Sequence, residues 1–473
     1  MLSYTKNSLT NILNGGLQLK KKVLIFIMNI MVTAITLAAP KYVFMFIGDG
    51  LGSAQRQVAE YYMNDIEKTE GRLLMNQLPV AGINTTHSLN TLVTDSAAAG
   101  TALATGHKTN NGMIAVLPNG EKLVSIAQYA NKSGMKTGLI TTTRLTHATP
   151  AVFASNNLNR NEENDIAADF LDSEIDFFAG GGYRNFIPQS EKGSKRKDDR
   201  NIATEFKKEG YKVFVGEDQS KNFMNLKAKK NQKVFAALTA SHMPYEIDRI
   251  NNKKNIPSLA DMTEKGIEVL SKNKKGFFMM IEGGRIDHAA HANDVTSVIH
   301  DTLALDDAVK KAYKFYKEHP KETLIVVVGD HETGGLGLGY GKNYFLNLEA
   351  IKDVKVSVDD VLQKKYNGNR SAYFKFIGQN LGLSDLTKKE RISIVNAMNV
   401  EDSGKYEKKS FGGYTPTAIT TAHILAKRAN MMFTTYAHTG TQIPLSSIGM
   451  GSKNFGGFID NIDIAENLIE IVR

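Results

Sequence analysis

Four short, largely apolar runs do most to limit the folds open to this 473-residue chain. The runs cover residues 42–47, 137–141, 277–281 and 324–328. Since polar residues do not alternate regularly with apolar ones along them, each run is typical of a strand that is buried on both faces. Such strands belong to parallel sheets that helices cover on each side. The runs therefore predict a parallel sheet in the core.

Segments with helical periodicity separate these runs along the chain. Apolar residues recur at helical spacing in residues 123–131, 163–171, 260–270 and 296–316. Alternating strands and helices indicate an α/β fold with three layers, αβα, around a central, mostly parallel sheet. Two regions interrupt the pattern. We expect the lysine-rich residues 183–255 to lie outside the main sheet, and we predict an inserted cap- or crown-like region at about 340–435.

The amino-terminal residues have the pattern of a secretory signal peptide. Three lysines at 20–22 precede an apolar run at 23–39 that ends in small residues. We therefore predict a signal peptide at 1–39, export to the periplasm or the extracellular space, and one folded domain at 40–473. A retained amino-terminal anchor is the alternative. After cleavage, no stable membrane span would remain.

Composition argues against two classes of interaction. The chain has no cysteine, so it has neither a disulfide framework nor a thiol for lipid attachment, which is compatible with a bacterial cell envelope. Its net charge of +9 includes four lysines that precede residue 40. The remaining lysines form short clusters without interleaved aromatic residues, so we expect no specific nucleic-acid partner.

The stretch around Ser96 is a candidate anion site. Asp95 and Ser96 are followed by alanines at 97–99, which are good helix formers, so we expect Ser96 at or near the N-terminus of a helix. Backbone N–H groups and the helix dipole favour negative charge there, whether an alkoxide or a bound phosphate. The alternative is an ordinary helix cap, because serine and aspartate are both common in that position.

Acidic and histidine residues follow the predicted strands in four groups. Asp287 and His291 are four residues apart, so on a helix both side chains would face the same ion. The other members are Glu282, Asp49, Asp330, His331 and His438. Carboxylate and imidazole ligands without thiolate suit zinc, and carboxylate-rich sites suit magnesium. The sequence therefore predicts a metal centre.

Six motifs, in order along the chain, resemble the signature motifs of alkaline phosphatases. They are IGDG at 47–50, TDSAA at 94–98, HATP at 147–150, EGGRID at 282–287, GDHETGG at 329–335 and HTGT at 438–441. The resemblance extends over essentially all of residues 41–473. It identifies residues 40–473 as an alkaline phosphatase catalytic domain.

The resemblance implies a role for each matching residue. Ser96 would be the nucleophile that becomes a phosphoserine, and Arg160 would grip the phosphate. Two zinc ions and one magnesium ion are implied as cofactors. The implied ligands are Asp287, His291 and His438 for one zinc, Asp49, Asp330 and His331 for the zinc beside Ser96, and Asp49, Thr149 and Glu282 for the magnesium.

Two positions depart from the well-known dimeric bacterial pattern. His147 stands where that pattern has an acid, and His288 stands where it has a lysine. Histidines at both places are similar to the animal members of the family. The resemblance leaves open whether His147 contacts the magnesium directly or through water. It implies that His288 lies near the bound phosphate.

The motifs together predict a metal-dependent hydrolase of small-molecule phosphate monoesters. A phosphodiesterase or a phosphatase of narrow specificity from the same superfamily is one alternative, although phosphodiesterase relatives typically use threonine as the nucleophile. A non-catalytic metal-binding surface protein is the alternative from another class, and the presence of Ser96 and Arg160 argues against it. The family is commonly dimeric, so a homodimer with residues 340–435 over the mouth of the site is one expectation.

Overall fold

A central sheet of ten strands organises the part of the chain that the structure describes. This computed structural model describes residues 39–252 and 255–473, so the predicted signal peptide, apart from Ala39, lies outside the described residues. In chain order the strands are β1 (Tyr42–Gly48), β2 (Val80–Asn84), β3 (Lys136–Arg144), β4 (Phe177–Gly181), β5 (Tyr211–Val215), β6 (Lys233–Ala237), β7 (Phe277–Gly283), β8 (Thr323–Gly329), β9 (Glu332–Thr333), β10 (His438–Thr439), β11 (Ile443–Gly449) and β12 (Gly457–Ile459).

The central sheet is mostly parallel, as the sequence predicts. Its strand order is β12-β2-β11-β8-β1-β7-β3-β4-β6-β5, and β9 and β10 form a separate antiparallel pair. Within the central sheet, β11 runs antiparallel to both of its neighbours, β8 and β2, while the other neighbouring strands run parallel to each other.

Helices cover both faces of this sheet. In chain order they are α1 (Ser53–Asp65), α2 (Ser96–Thr105), α3 (Ile126–Lys132), α4 (Ala148–Ala151), α5 (Glu163–Asp172), α6 (Ile202–Lys208), α7 (Ser220–Met224), α8 (Glu246–Asn251), α9 (Leu259–Leu270), α10 (Arg285–His291), α11 (Val295–Glu318), α12 (Arg370–Asn380), α13 (Lys388–Asp402), α14 (Pro416–Arg428) and α15 (Asn461–Val472). Among the described residues, no helix has both the length and the apolar character that crossing a membrane requires.

Strand β1 shows why the sheet needs a layer of helices on each side. Its side chains point alternately to opposite faces, and all of its residues are buried. Phe44 and Phe46 belong to a core shared with α1, α9 and α11, whereas Val43, Met45 and Ile47 belong to a second core shared with α2, α3 and α15. The absence of polar alternation along β1 therefore reflects two apolar cores, and the three-layer fold is confirmed.

Strand register brings acidic residues together at the carboxyl edge of the sheet. Gly48 of β1 pairs with Gly283 of β7 on one side and with Gly329 of β8 on the other. Asp49 and Asp330, each the next residue after its strand, therefore lie side by side. A Cβ on Gly329 would lie 2.5 Å from the backbone oxygen of Leu51, so a side chain there would obstruct this close approach.

One expectation about the periphery is wrong. Residues 183–255 do not lie outside the main sheet, because they contribute β5 and β6, which form one end of it. These strands are short and flanked by lysines, and Lys212 of β5 is exposed. β5 is an edge strand, which needs less apolar sequence than a central one, and β6 is buried but only five residues long, which is why the pattern of this region did not resemble that of the four apolar runs.

Residues 340–435 lie between β9 and β10 and contain helices α12, α13 and α14. Ile419 and Ala422 of α14 are buried in the same core as Phe44. That this region is an inserted cap stays a prediction.

Replacing Phe44 by alanine tests the packing of the central strand. Phe44 is fully buried against Phe277 and Phe315, so we expect the Phe44→Ala variant to lose about 3–5 kcal/mol of unfolding free energy, measured by chemical denaturation. Phe458 in edge strand β12 is 63% exposed and is the matched control, with an expected loss within about 0.5 kcal/mol for Phe458→Ala. Equal losses in the two variants would contradict the described core.

Candidate active site

Ser96 is the first residue of α2, and the residue before it caps that helix. The side chain of Asp95 accepts a hydrogen bond from the backbone N–H of Ala98 at 3.0 Å. A carboxylate at this end of a helix also interacts favourably with the helix dipole. Ser96 is 2% exposed, and its Oγ lies 3.2 Å from Nε2 of His331. The predicted nucleophile is therefore at a helix N-terminus and next to a predicted metal ligand.

Asp49, Asp330 and His331 form one candidate metal site. Nε2 of His331 lies 3.3 Å from Oδ1 of Asp49 and 3.4 Å from Oδ2 of Asp330. Burial raises the pKa values of both carboxyls well above the usual range for aspartate, and the charge of Asp330 raises the pKa of Asp49 further. A bound cation would favour the ionised form of both groups.

Thr333 determines which nitrogen of His331 is free. Its hydroxyl donates to Oδ1 of Asp287 at 2.6 Å, and its oxygen lies 3.2 Å from Nδ1 of His331. Since the only proton of the hydroxyl is donated to Asp287, the oxygen accepts a hydrogen bond from the N–H of Nδ1. Nε2 of His331 is then unprotonated, and its lone pair faces Ser96, Asp49 and Asp330. Thr333 lies within the motif at 329–335, but its sequence context predicted no role for it.

Asp287, His291 and His438 form a second candidate metal site. Oδ1 of Asp287 lies 3.3 Å from Nε2 of His291 and 3.4 Å from Nε2 of His438, and the two nitrogens are 3.2 Å apart. Asp287 and His291 both lie on α10, so their spacing of four residues turns both side chains to one face. Burial opposes ionisation of Asp287, but the two imidazoles lower its pKa well below its usual range.

Backbone carbonyls orient both imidazoles of this second site. Nδ1 of His291 donates to the carbonyl oxygen of Tyr436, and Nδ1 of His438 donates to that of Thr94 at 2.8 Å. Because a carbonyl can only accept, each Nδ1 carries a proton, which leaves Nε2 as the nitrogen of each ring that can bind a metal ion. The rings of His331 and His438 stack with centroids 3.6 Å apart, so the two candidate sites are adjacent.

Asp49, Glu282 and His147 form a third group, with ligand atoms within 4.8 Å of one another. Thr141 and Thr143 donate hydrogen bonds to Oε2 of Glu282. Burial raises the pKa of Glu282 to about 7. Nδ1 of His147 lies 4.0 Å from Oδ2 of Asp49, so Asp49 contributes to two of the groups.

Unpartnered buried atoms indicate that these groups fit metal ions. None of the following atoms has a hydrogen-bond partner among the described residues: both carboxylate oxygens of Asp49, Oδ2 of Asp330, Oε1 of Glu282, Nδ1 of His147 and Oγ1 of Thr149. Leaving a buried polar atom without a partner costs about 1–3 kcal/mol or more for charged groups. Divalent cations would satisfy these oxygen and nitrogen atoms at once. The residues present therefore fit a metal centre.

Arg160 reaches the site through Asp95. Its Nη1 donates to Oδ2 of Asp95 at 2.9 Å, and its Nη2 lies 3.4 Å from Nε2 of His147. The same oxygen of Asp95 accepts from the backbone N–H of Gly112 at 3.0 Å. Asp95 thus connects the start of α2 to the guanidinium that the sequence predicts at the phosphate.

His288 belongs to a group of three imidazoles that the sequence predicted only in part. Its ring centroid lies 5.4 Å from that of His147 and 4.3 Å from that of His242. Burial and the charge of Arg285 lower the pKa of His288 to about 3. His242 also contacts Arg144. His242 was not among the predicted site residues, because it lies in the region expected outside the sheet and has no motif around it.

A family model of alkaline phosphatases matches residues 40–473. The chain belongs to the alkaline phosphatase family. It is 35% identical to alkaline phosphatase 3 of Bacillus subtilis over 446 residues, which cover 92% of this chain and 89% of that protein. It is 32% identical to alkaline phosphatase 4 of the same bacterium, with 91% and 88% covered.

Solved alkaline phosphatase structures have the same fold. The cold-active enzyme of a Shewanella species is 28% identical with a TM-score of 0.77, covering 91% of this chain and 100% of that one. The Thermus thermophilus enzyme is 28% identical with a TM-score of 0.79, covering 92% of each chain. A mutant of the Antarctic TAB5 enzyme, 27% identical with a TM-score of 0.64 and 92% and 99% covered, has Mg bound in its M3 site.

Metal removal should destabilise this alkaline phosphatase family member. Because Asp49, Asp330 and Glu282 are buried with unpartnered oxygens, we expect divalent cations to raise the unfolding free energy over the chelated protein. A hundredfold excess of ion over its dissociation constant contributes about 2.7 kcal/mol per site. The measurement is chemical denaturation with zinc and magnesium or with a chelator. In the Asp49→Asn variant, the difference in unfolding free energy between the metal-loaded and the chelated protein should be smaller. Equal stability of the loaded and chelated wild type would contradict the metal sites.

Proposed function

We propose that this protein hydrolyses phosphate monoesters through a covalent phosphoserine at Ser96. The position of Ser96 carries the proposal, because its Oγ lies at the N-terminus of α2 and 3.2 Å from Nε2 of His331, beside unpartnered buried carboxylates. A serine hydroxyl is a weak nucleophile, so it needs a neighbouring group or ion that favours loss of its proton.

Three groups of residues would hold the metals. Mixed carboxylate and imidazole sets suit zinc, namely Asp287, His291 and His438 for one ion and Asp49, Asp330 and His331 for the other. An oxygen-rich set of Asp49, Thr149 and Glu282 suits magnesium, with His147 as a direct ligand or as one that acts through water. When bound, the cations supply positive charge that favours the serine alkoxide and stabilises the attacking and leaving oxygens of phosphoryl transfer.

The residues of the chain then perform the transfer in two displacements. Arg160 offers two parallel N–H donors to the non-bridging oxygens and so orients the phosphoryl group. As the bond between Oγ of Ser96 and phosphorus forms, the bond to the alcohol oxygen breaks, and the alcohol leaves with a proton. Water then attacks phosphorus, which releases phosphate and returns the hydroxyl of Ser96. Backbone N–H groups at the start of α2 favour the negative charge throughout.

Substrates, location and assembly follow from this proposal. The substrates would be small-molecule phosphate monoesters, and no nucleic-acid partner is proposed. Export, to the periplasm or the extracellular space, is supported by the basic and apolar pattern of residues 20–39. A homodimer stays a prediction based on the family.

Replacing Ser96 tests the proposed function. Asp95, rather than Ser96, caps α2, so Ser96→Ala should keep its unfolding free energy within about 0.5 kcal/mol of wild type. Hydrolysis of p-nitrophenyl phosphate should fall by at least about a thousandfold, as expected for loss of a nucleophile. Ser88→Ala, another buried serine in the preceding loop, is the control and should remain active.

Other outcomes of this experiment would identify another function. Labelled phosphate trapped at acidic pH on a residue other than Ser96 would contradict the nucleophile assignment. Faster hydrolysis of bis(p-nitrophenyl) phosphate than of the monoester would favour a phosphodiesterase. No hydrolysis of either ester by the metal-loaded protein would favour a binding protein.

Arg160→Ala should weaken phosphate binding more than it slows the chemical step. Hydrogen bonds to charged groups contribute about 1.5–3 kcal/mol, so KM and the phosphate inhibition constant should rise by about tenfold to a hundredfold. Steady-state kinetics with p-nitrophenyl phosphate measure both constants. Arg200→Ala is the control, because Arg200 pairs with Glu205 on the surface. An unchanged phosphate constant in Arg160→Ala would remove Arg160 from the site.

A further inference from the structure

We propose that Arg285 is a positioning residue that fixes the tautomer and orientation of His288, and that Asp360 holds Arg285 in place. Asp360 belongs to residues 340–435, so this chain of contacts joins that region to the phosphate site. The inference rests on the proposed function, because it assigns to His288 a hydrogen bond to the phosphate.

Arg285 is buried and held on several sides. Its side chain is 2% exposed, and its Nη2 donates to Oδ2 of Asp360 at 2.5 Å. Its guanidinium carbon lies 3.5 Å from the centroid of the Tyr245 ring, a cation–π contact. Its backbone N–H donates to Oγ1 of Thr142 in β3 at 3.1 Å. The ion pair and the ring contact leave the guanidinium little freedom to turn, although its buried Nε has no hydrogen-bond partner among the described residues.

The contact between Arg285 and His288 determines the tautomer of the imidazole. Nη1 of Arg285 lies 3.2 Å from Nδ1 of His288. A guanidinium has five N–H donors and no acceptor, so Nδ1 must be the acceptor and cannot carry a proton. A neutral His288 therefore carries its proton on Nε2, away from Arg285. This N–H is a donor suited to an oxygen of a bound phosphate.

Two buried acids fix the segment that carries Asp360. The backbone N–H and hydroxyl of Ser357 donate to the carboxylate of Asp248 at 3.0 and 2.5 Å. The backbone N–H of Val358 donates to Asp294, the residue that caps α11, at 2.8 Å. Ser357 then accepts the backbone N–H of Asp360 at 3.2 Å. Hydrogen bonds to α8 and to the cap of α11 thus fix the backbone that carries Asp360, although the side chain of Asp360 is 41% exposed.

Through this chain of contacts, residues 340–435 would affect the affinity for phosphate, which packing alone would not do. Without the carboxylate of Asp360, the guanidinium would lose its hydrogen-bonded charged partner and keep only Asp359, whose Oδ2 lies 4.0 Å from Nη1, so its hydrogen bond to His288 would weaken. The imidazole could then adopt either tautomer, and in one of them Nε2 offers no donor. Phosphate affinity would therefore fall without any change at the metal ligands.

The test is a double-mutant cycle on the metal-loaded, full-length chain. Asp360→Asn keeps the shape of a largely accessible side chain and removes its charge. We expect the dissociation constant of inorganic phosphate, measured by calorimetry, and its inhibition constant to rise by about threefold to tenfold, which is the range for one hydrogen bond. In a His288→Ala background, Asp360→Asn should add no further change, because the effect acts through His288.

Two further variants separate positioning from general stability. Asp385 pairs with Arg428 at 2.7 Å within the same region, so Asp385→Asn removes a similar ion pair and should leave the phosphate constants unchanged. Asp360→Glu retains the charge and should restore most of the affinity that Asp360→Asn loses, even if the asparagine variant folds poorly.

The results distinguish the inference from the proposed function. Unchanged phosphate constants in Asp360→Asn, or an equal loss in the His288→Ala background, would overturn the inference while wild-type activity still supports a phosphatase. A metal-loaded wild type that neither binds phosphate nor hydrolyses p-nitrophenyl phosphate would overturn both.

Discussion

The burial of several carboxylates in one place is the constraint on which the site depends. Asp49, Asp330 and Glu282 are fully buried, and burial raises the pKa of each. Moving such charges out of water is costly unless they are paired or bind a metal. Two apolar cores fix the register of the strands that precede these residues. The carboxylates therefore cannot move apart to reduce their mutual repulsion or their desolvation energy. The fold therefore forms a site whose buried carboxylates need bound cations to compensate their charge.

Hydrogen bonds connect this acidic centre to the residues that would handle phosphate. His438 receives its orientation from the carbonyl of Thr94, two residues before Ser96. Thr333 contacts Asp287 of one candidate metal site and His331 of the other. Since these groups share partners, a change at one of them should alter its neighbours as well. The metal centre and the nucleophile are therefore better regarded as one unit than as independent parts.

Much of the fold was predictable because its strongest signals are local. The runs around β1, β7 and β8 have no polar alternation, and a strand buried on both faces is the structure that such a run favours. The spacing of Asp287 and His291 suited one ion only if the segment was helical, and the structure shows that it is, as α10. Edge strand β5 was not predictable, because one partner and partial exposure impose little pattern on a sequence, and neither was β6, a strand of five residues between β4 and β5. His242 was missed for a related reason, since a single histidine has no periodicity.

The sequence by itself determined which residue types are available and where the strongly patterned helices and strands lie. It placed Ser96 at a helix start, and it placed Asp49 and Asp330 after buried strands. Only the tertiary structure decided that His242 lies beside His288 and that Asp360 reaches Arg285. The physical reason is distance along the chain: Gly50 donates a hydrogen bond to Asp330, 280 residues away. Contacts of that separation depend on strand order and register, which local sequence patterns do not specify.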